Sequence, residues 1–361
     1  MSDQPIVCKL KDMLLAHEKD NWKGMLTNSV AEAKALAIQQ GLKDAKSLPE
    51  GLDGRHGYYA YLNKSVTLIP REDYPKEAFI TLAKFYWLID QPSGRKLQES
   101  EEFNTWMRQF ANDWGDFLNT PASAAGIQSF IDDPAFQAEQ YMPNPSGWLT
   151  FNQFFAREVK PGLRPVTGLD DPKIITAPAD SVFKEQFKID DDNEITIKHT
   201  HKYKILDLLE GSPYKEKFRN GLFMHSFLGP NDYHRFRAPV GGTILECRAI
   251  QQNVYLDVKI EDGEFQAPDG GGYEFTQTRG LIIIDSPIGL VATLPIGMAQ
   301  VSSVNMVAVE GAYLTKGDMF GYFMFGGSDI IMLFEEKSKV HVTAAPGIHF
   351  NCGMGVAESK E

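Results

Sequence analysis

Phe325-Gly326-Gly327-Ser328-Asp329 stands between two apolar runs, Asp318-Met319-Phe320-Gly321-Tyr322-Phe323-Met324 before it and Ile330-Ile331-Met332-Leu333-Phe334 after it. Both runs have the length and composition of buried strands, so this end of the chain reads as sheet. Glycine at the join permits φ > 0 or a sharp bend, which can turn a carbonyl toward a neighbouring side chain. A serine after glycine sets its hydroxyl one bond rotation from the Gly327 carbonyl carbon. If that peptide is strained, Ser328 Oγ can attack it and convert the amide to an ester. If it is relaxed, the same residues make an ordinary tight turn with a serine cap. The surrounding sequence has to decide.

Working outward, Glu310-Gly311-Ala312-Tyr313-Leu314-Thr315-Lys316-Gly317-Asp318 leads into the turn through Gly321 and Phe323. Further upstream lie Asn231-Asp232-Tyr233-His234-Arg235-Phe236-Arg237-Ala238-Pro239-Val240-Gly241-Gly242 and Thr176-Ala177-Pro178-Ala179-Asp180-Ser181-Val182. A fourth block holds Phe151, Phe154-Phe155-Ala156-Arg157 and Lys160-Pro161-Gly162-Leu163-Arg164-Pro165. Together these resemble the phosphatidylserine decarboxylase family. Its members carry, in this order along the chain, a Phe-Phe-x-Arg…Arg-Pro segment, a Ser-Pro-x-Asp-Gly motif, a Tyr-His-Arg-x-His-x-Pro signature and a Lys-Gly pair ahead of a Gly-Ser cleavage site.

The resemblance implies a chemistry. The counterpart of Ser328 attacks the preceding carbonyl, the ester breaks by β-elimination, and the new chain begins with a pyruvoyl group. Cleavage would leave a β chain of residues 1–327 and an α chain of 328–361. The pyruvoyl cofactor takes the amine of a small-molecule substrate and serves as the electron sink for the lost carboxylate, while the protein supplies placement and proton transfer. Asp180 matches the aspartate that orients and charge-stabilises a histidine. His234 matches the histidine assigned to proton transfer during decarboxylation, and Tyr233, Phe236 and Arg237 fall where substrate contacts are expected.

Three positions depart from the family pattern: Ser181 where glycine is usual, Asp329 where Thr or Ser is common, and Arg237 where a second histidine acts as the cleavage base. Arginine does not deprotonate in a protein and cannot be that base. Three arrangements remain open: His234 does both jobs, His225 in Phe223-Met224-His225-Ser226-Phe227 reaches in, or the chain does not mature. His199-x-His201 would put two imidazoles on one strand face, a metal pair lacking a third ligand, and a solvated face explains it as well. No metal is expected.

With 361 residues, 43% hydrophobic and 23% charged, the chain has the composition of a soluble globular protein of one or two domains. Its net charge of −12 argues against nucleic acid or an anionic membrane as partner. Cys8, Cys247 and Cys352 are odd in number and widely spaced, as in a reducing compartment. Neither a signal peptide nor a membrane anchor is apparent, so a cytoplasmic location is expected.

Residues 1–147 read as helical. Ser29-Val30-Ala31-Glu32 has the form of a capping box opening an Ala-rich run that ends near Gly41. Pro75 suits the first turn of a helix with Phe79, Leu82, Tyr86 and Ile89 on one stripe, and Phe103, Trp106, Met107, Phe110, Trp114 and Phe117 make a second, aromatic stripe. The segment Asp113–Ser123 resembles the accessory domain of soluble family members, fungal tryptophan decarboxylases among them. Pro143, Pro145, Ser146 and Gly147 mark the boundary.

Beyond it, strands are expected at 182–189, hairpinned with 194–198, and at 221–228, 242–248, 254–260, 281–285, 289–294 and 301–309, with a short helix at 206–209. Many strands without βαβ alternation make a mainly antiparallel core. The expectation is an α+β protein: a helical accessory domain over 1–147, then a β-rich pyruvoyl-decarboxylase domain over 148–361. Its substrate would be a primary amine bearing an α-carboxylate. A free L-amino acid, aromatic ones included, suits an acidic protein, and phosphatidylserine is the alternative. A rival of another class is a non-catalytic protein whose Arg237 grips a ligand carboxylate. Beyond substrate and its own two chains, a homo-oligomer is the only further partner considered.

Overall fold

A computed structural model describes residues 2–360 apart from 74–76, 191–193, 198–200, 253, 268–276, 298–302 and 326–327. It divides into two compact units, Met1–Phe130 with Asn253–Gly270, and Ile131–Gln252 with Gly271–Glu361.

The first unit is helical: α1 (Pro5–Ala16), α2 (Trp22–Gln39), α3 (Tyr58–Ser65), α4 (Glu77–Ile89), α5 (Pro92–Gln98) and α6 (Glu101–Leu118). The aromatic stripe of α6 is core, with Phe103, Trp106, Met107, Phe110 and Trp114 buried. Burying an indole requires an acceptor for its N–H. Trp106 donates to Ile6 O (2.9 Å), Trp114 to Leu68 O (2.8 Å) and Trp87 to Ala33 O (2.9 Å). Pro75 lies outside the described residues.

The expected capping box is not a cap. Helix α2 begins at Trp22, seven residues before Ser29, and runs through it. Ser29 is buried and donates to Leu88 O at 2.7 Å, while Glu32 accepts from the backbone N–H of Ser93 at the start of α5. The pattern is real, but its partners are on other helices. Tertiary packing has overridden the local reading.

The strand expected at 254–260 is also revised. Lys259–Glu261 pairs with Glu264–Gln266 as a hairpin of the helical unit. There Phe265 packs on Trp87 with ring centroids 5.9 Å apart, and Tyr255 OH donates to Asp90 at 2.8 Å.

The second unit is built on strands whose pairings among the described residues are antiparallel. We label them β1 (Ile174–Thr176), β2 (Ser181–Lys188), β3 (Leu222–Leu228), β4 (Arg235–Arg237), β5 (Gly242–Ile250), β6 (Arg279–Ser286), β7 (Gly289–Gly297), β8 (Val304–Met306), β9 (Tyr313–Leu314), β10 (Met319–Phe323), β11 (Ser328–Phe334), β12 (Val340–Val342), β13 (His349–Phe350) and β14 (Gly355–Ser359). Among the described residues the main sheet runs β9-β5-β6-β7-β11-β3-β2-β13, with smaller sheets β8-β10-β4 and β12-β14-β1. Glu194–Ile197 pairs forward with His201–Lys204 rather than back onto β2, and Ile205–Leu208 is helical as expected.

One face of the main sheet carries Phe223, Leu281, Ile283, Leu294, Ile331 and Leu333, all fully buried. Strands β7 and β11 are apolar along nearly their whole length because they are central and covered. Register then sets where the chemistry falls. Phe227 on β3 lies opposite Val182 on one side and Asp329 on the other. Ser328 is opposite Leu228 and Gly297. The start of β2, which follows Asp180, and the start of β11 therefore lie at the same end of the sheet, two strand spacings or about 10 Å apart.

Candidate active site

Gly327 lies outside the described residues, and Ser328 is placed by its backbone register at the head of β11. The turn is approached through Phe325. Its ring packs edge-on against Phe151 (5.1 Å) and Phe155 (5.4 Å) of the short helix Phe151–Phe155, and its N–H donates to Asn152 Oδ1 at 3.2 Å. Thr150 caps that helix by accepting from the Gln153 N–H, which fixes the rings beside the turn.

His234 sits in the same aromatic nest. It is fully buried, lies against Phe155 at 4.0 Å between centroids, and faces Phe323 edge-on. Its carbonyl accepts from Phe323 N–H at 2.9 Å, which ties the Tyr-His-Arg segment to β10. Among the described residues neither ring nitrogen has a partner in good hydrogen-bond geometry, and the Asp232 backbone acts on the ring only weakly. Burial drives its pKa well below the ordinary histidine value, and the nearby Arg157 charge adds to the effect. Burial and Arg157 outweigh the Asp232 backbone, which acts the other way, so the neutral imidazole is favoured.

Asp180, expected to orient a histidine, is instead held by Arg164. Arg164 Nε lies 2.9 and 3.0 Å from the two carboxylate oxygens and Nη2 2.6 Å from one of them, and the Cys352 N–H donates at 2.7 Å. Both side chains are almost fully buried. Arg237 does not reach this carboxylate. Its backbone N–H donates to Pro178 O at 2.7 Å, and its guanidinium lies over the Tyr233 ring with Nη2 3.5 Å from the hydroxyl. Tyr233 is buried beside Tyr141, Val159 and Cys352. Phe236, expected at the substrate, is fully buried against Phe320 (5.0 Å) and Phe323 (4.9 Å) and packs β4 onto β10.

His225 lies opposite Ile331, and Asp329 is its diagonal neighbour on β11. Their side chains meet with Nε2 2.9 Å from Asp329 Oδ1, both buried. On the other side, Glu185 Oε1 is 3.6 Å from Nδ1. The aspartate that departs from the family pattern thus gives His225 a carboxylate partner next to Ser328 in the chain.

Sequence reading passed over several of these groups. Arg157 is 1% exposed, donates to Asn231 O and Asp232 O, and stacks on Tyr141 at 4.2 Å. Arg157 and Arg164 were both visible in the Phe-Phe-x-Arg…Arg-Pro segment, but their partners were not. Lys316 of the Lys-Gly pair is structural: Nζ donates to Gly168 O and Asp171 O, each at 2.6 Å. Gly317 after it has φ +90°, and a Cβ there would lie 2.5 Å from Val166, so glycine is required. His199 lies outside the described residues.

His349 carried no motif, yet its Nε2 lies 2.8 Å from Asp232 Oδ1. That hydrogen bond raises its pKa above the ordinary 6.5, against the opposing effect of burial. A raised folded-state value stabilises the protein below pH 6.5, and the benefit is lost as pH rises through the raised pKa. His349→Gln should therefore be less stable than wild type in acid, with the gap closing toward alkaline pH. Urea unfolding across a pH series checks this, and a gap independent of pH would contradict it.

The sequence profile of the family described as phosphatidylserine decarboxylase matches residues 151–358, more than half of the chain and inclusive of Arg157, Arg164, Asp180, His225, His234, Arg237 and Ser328. The chain belongs to the phosphatidylserine decarboxylase family. It is 32% identical over 236 residues to phosphatidylserine decarboxylase proenzyme 2 of Oryza sativa subsp. japonica, covering 64% of this chain and 37% of that one. It is 29% identical over 292 residues to the decarboxylase iboD of Amanita muscaria, covering 71% and 83%. A phosphatidylserine decarboxylase proenzyme of Fusobacterium nucleatum is 28% identical over 235 residues, covering 64% and 75%. The chain thus spans little more than a third of the rice relative and most of the fungal one. Among the described residues, no helix is long and apolar enough to cross a membrane.

Proposed function

We propose that this family member is a self-processing, pyruvoyl-dependent decarboxylase of a free L-amino acid, cleaving itself between Gly327 and Ser328. The observation that carries the reading is His234. Burying an imidazole with neither nitrogen in a well-formed hydrogen bond to the described residues costs about 1–3 kcal/mol per unsatisfied group. Such a residue beside the segment leading to Ser328 suits a task that begins when a ligand arrives. A neutral, low-pKa imidazole can hold or pass a proton at the substrate carbon, and Phe155 and Phe323 cover it from water.

These residues fit a pyruvoyl group, since the ring nitrogens of His234, without a well-formed hydrogen bond among the described residues, offer it or its substrate a polar partner in an otherwise apolar nest. When present, that group supplies the carbonyl that takes the substrate amine and the sink for the electron pair left by carbon dioxide. For chain cleavage, His225 paired with Asp329 is the proposed base in place of the histidine replaced by Arg237, the carboxylate orienting the ring as in other His–Asp pairs. Residues 1–147 are proposed as an accessory domain to the catalytic domain over 148–361. The net charge of −12 favours a free amino acid over a lipid at an anionic surface.

Intact-mass spectrometry of the purified protein tests the proposal. Two chains, 1–327 and 328–361, with the α chain blocked at its amino end by a carbonyl group, are expected. A single full-length chain after prolonged incubation would overturn the enzyme reading in favour of a binding protein on the same scaffold.

A further inference from the structure

The arginines around His234 are unequally matched by carboxylates. Arg164 is neutralised by Asp180 at 2.6 Å, and Arg235 lies 3.2 Å from Glu158. Arg157 has no carboxylate partner among the described residues, but it is sealed from solvent and engaged by the Asn231 and Asp232 carbonyls and the Tyr141 ring. Arg237 also has no carboxylate partner among the described residues, and it is only half-buried. Its one side-chain hydrogen bond, to Tyr233 OH at 3.5 Å, is at the limit of length and engages one of five N–H donors. The backbone holds it in place through β4 and the bond to Pro178 O, on the loop that leads to Asp180 and the start of β2. A reachable, uncompensated guanidinium in a protein of net charge −12 is an anion site.

The anion it takes is constrained by the reaction. Decarboxylation turns a carboxylate into neutral carbon dioxide, so a cation paired with the departing group would stabilise the ground state more than the transition state and slow the step. Resting on the decarboxylase reading above, we infer that Arg237 binds a second acidic group of the substrate, so that the preferred substrate is an amino acid with a carboxylate or phosphate on its side chain. A headgroup phosphate of an aminophospholipid offers the same chemistry, and the test separates the two sources.

The mature enzyme is assayed for kcat/KM with L-glutamate against L-glutamine and O-phospho-L-serine against L-serine, and with phosphatidylserine in mixed micelles. The acidic member of each free pair should be preferred. Arg237→Gln should shrink that preference by about 10- to 100-fold, the range for a hydrogen bond to a charged group, and Arg237→Lys should fall between. Wild-type preference for the neutral members, or an undiminished preference in Arg237→Gln, overturns the inference while leaving the decarboxylase reading intact. Turnover of phosphatidylserine far above O-phospho-L-serine overturns the free-acid assignment. If the protein purifies as one uncleaved chain, the decarboxylase reading fails separately, and equilibrium dialysis decides this one. Saturable binding of L-glutamate over L-glutamine that is lost in Arg237→Gln supports it, and no such binding overturns it.

Discussion

Ser328→Ala protein is expected to purify as a single chain of 40.4 kDa and to release no carbon dioxide from any amine substrate. Alanine has no oxygen to attack the Gly327 carbonyl, so neither the ester nor the new amino end can form. The effect should be complete, because the group that would carry the chemistry is made by the cleavage itself. Two chains split at the same bond in this variant would refute the assignment of the site. The histidines separate the two stages. His225→Ala removes the partner of Asp329 and should block cleavage, and Arg237→His in that background should restore part of it. His234→Ala should cleave and then turn over substrate about 10²- to 10⁴-fold more slowly, the usual value of a positioned acid–base group. If both single variants mature at the wild-type rate, neither is the cleavage base and the role given to His225 is wrong.

Arg164→Ala should destabilise the protein by about 3–5 kcal/mol, the cost of stranding a buried charge by removing its partner. Asp180 is 2% exposed, and without the guanidinium it keeps, among the described residues, only the Cys352 N–H. Equilibrium unfolding in urea measures the loss. The double variant Arg164→Met with Asp180→Leu should recover most of it, since no charge is then left buried. A loss under about 1 kcal/mol in the single variant would show that water or another group reaches Asp180. The same pair bears on maturation. With its carboxylate held in the Arg164 fork and by the Cys352 N–H, Asp180 has no histidine in hydrogen-bond distance among the described residues.

Much of the site was legible because each of its motifs is local. Asp180, His234, Arg237 and Ser328 fall at set offsets within short blocks, and those blocks could be read without knowing how they meet. Their partners were not legible. Arg164 is 16 residues from Asp180, and Asp329 is 104 from His225. Nothing in the spacing of such pairs distinguishes them from any other charged residues. His349 shows the limit most plainly: it has no motif, and only the pairing of β13 with β2 brings it within reach of Asp232.

The sequence alone determined the family, the α+β class, the alternation of apolar strands that makes the main sheet, and the absence of an ordinary base at position 237. Periodicity and turn chemistry act over a few residues, and for that reason they can be read from a string. Tertiary structure decided that Ser29 bonds another helix instead of capping its own, and that 253–270 joins the helical unit. It also decided that Asp180 is held by Arg164, and that His234 is buried without a well-formed side-chain hydrogen bond among the described residues. Each of those depends on which surfaces meet after collapse, where burial makes an unpaired polar group costly and so selects partners from anywhere in the chain.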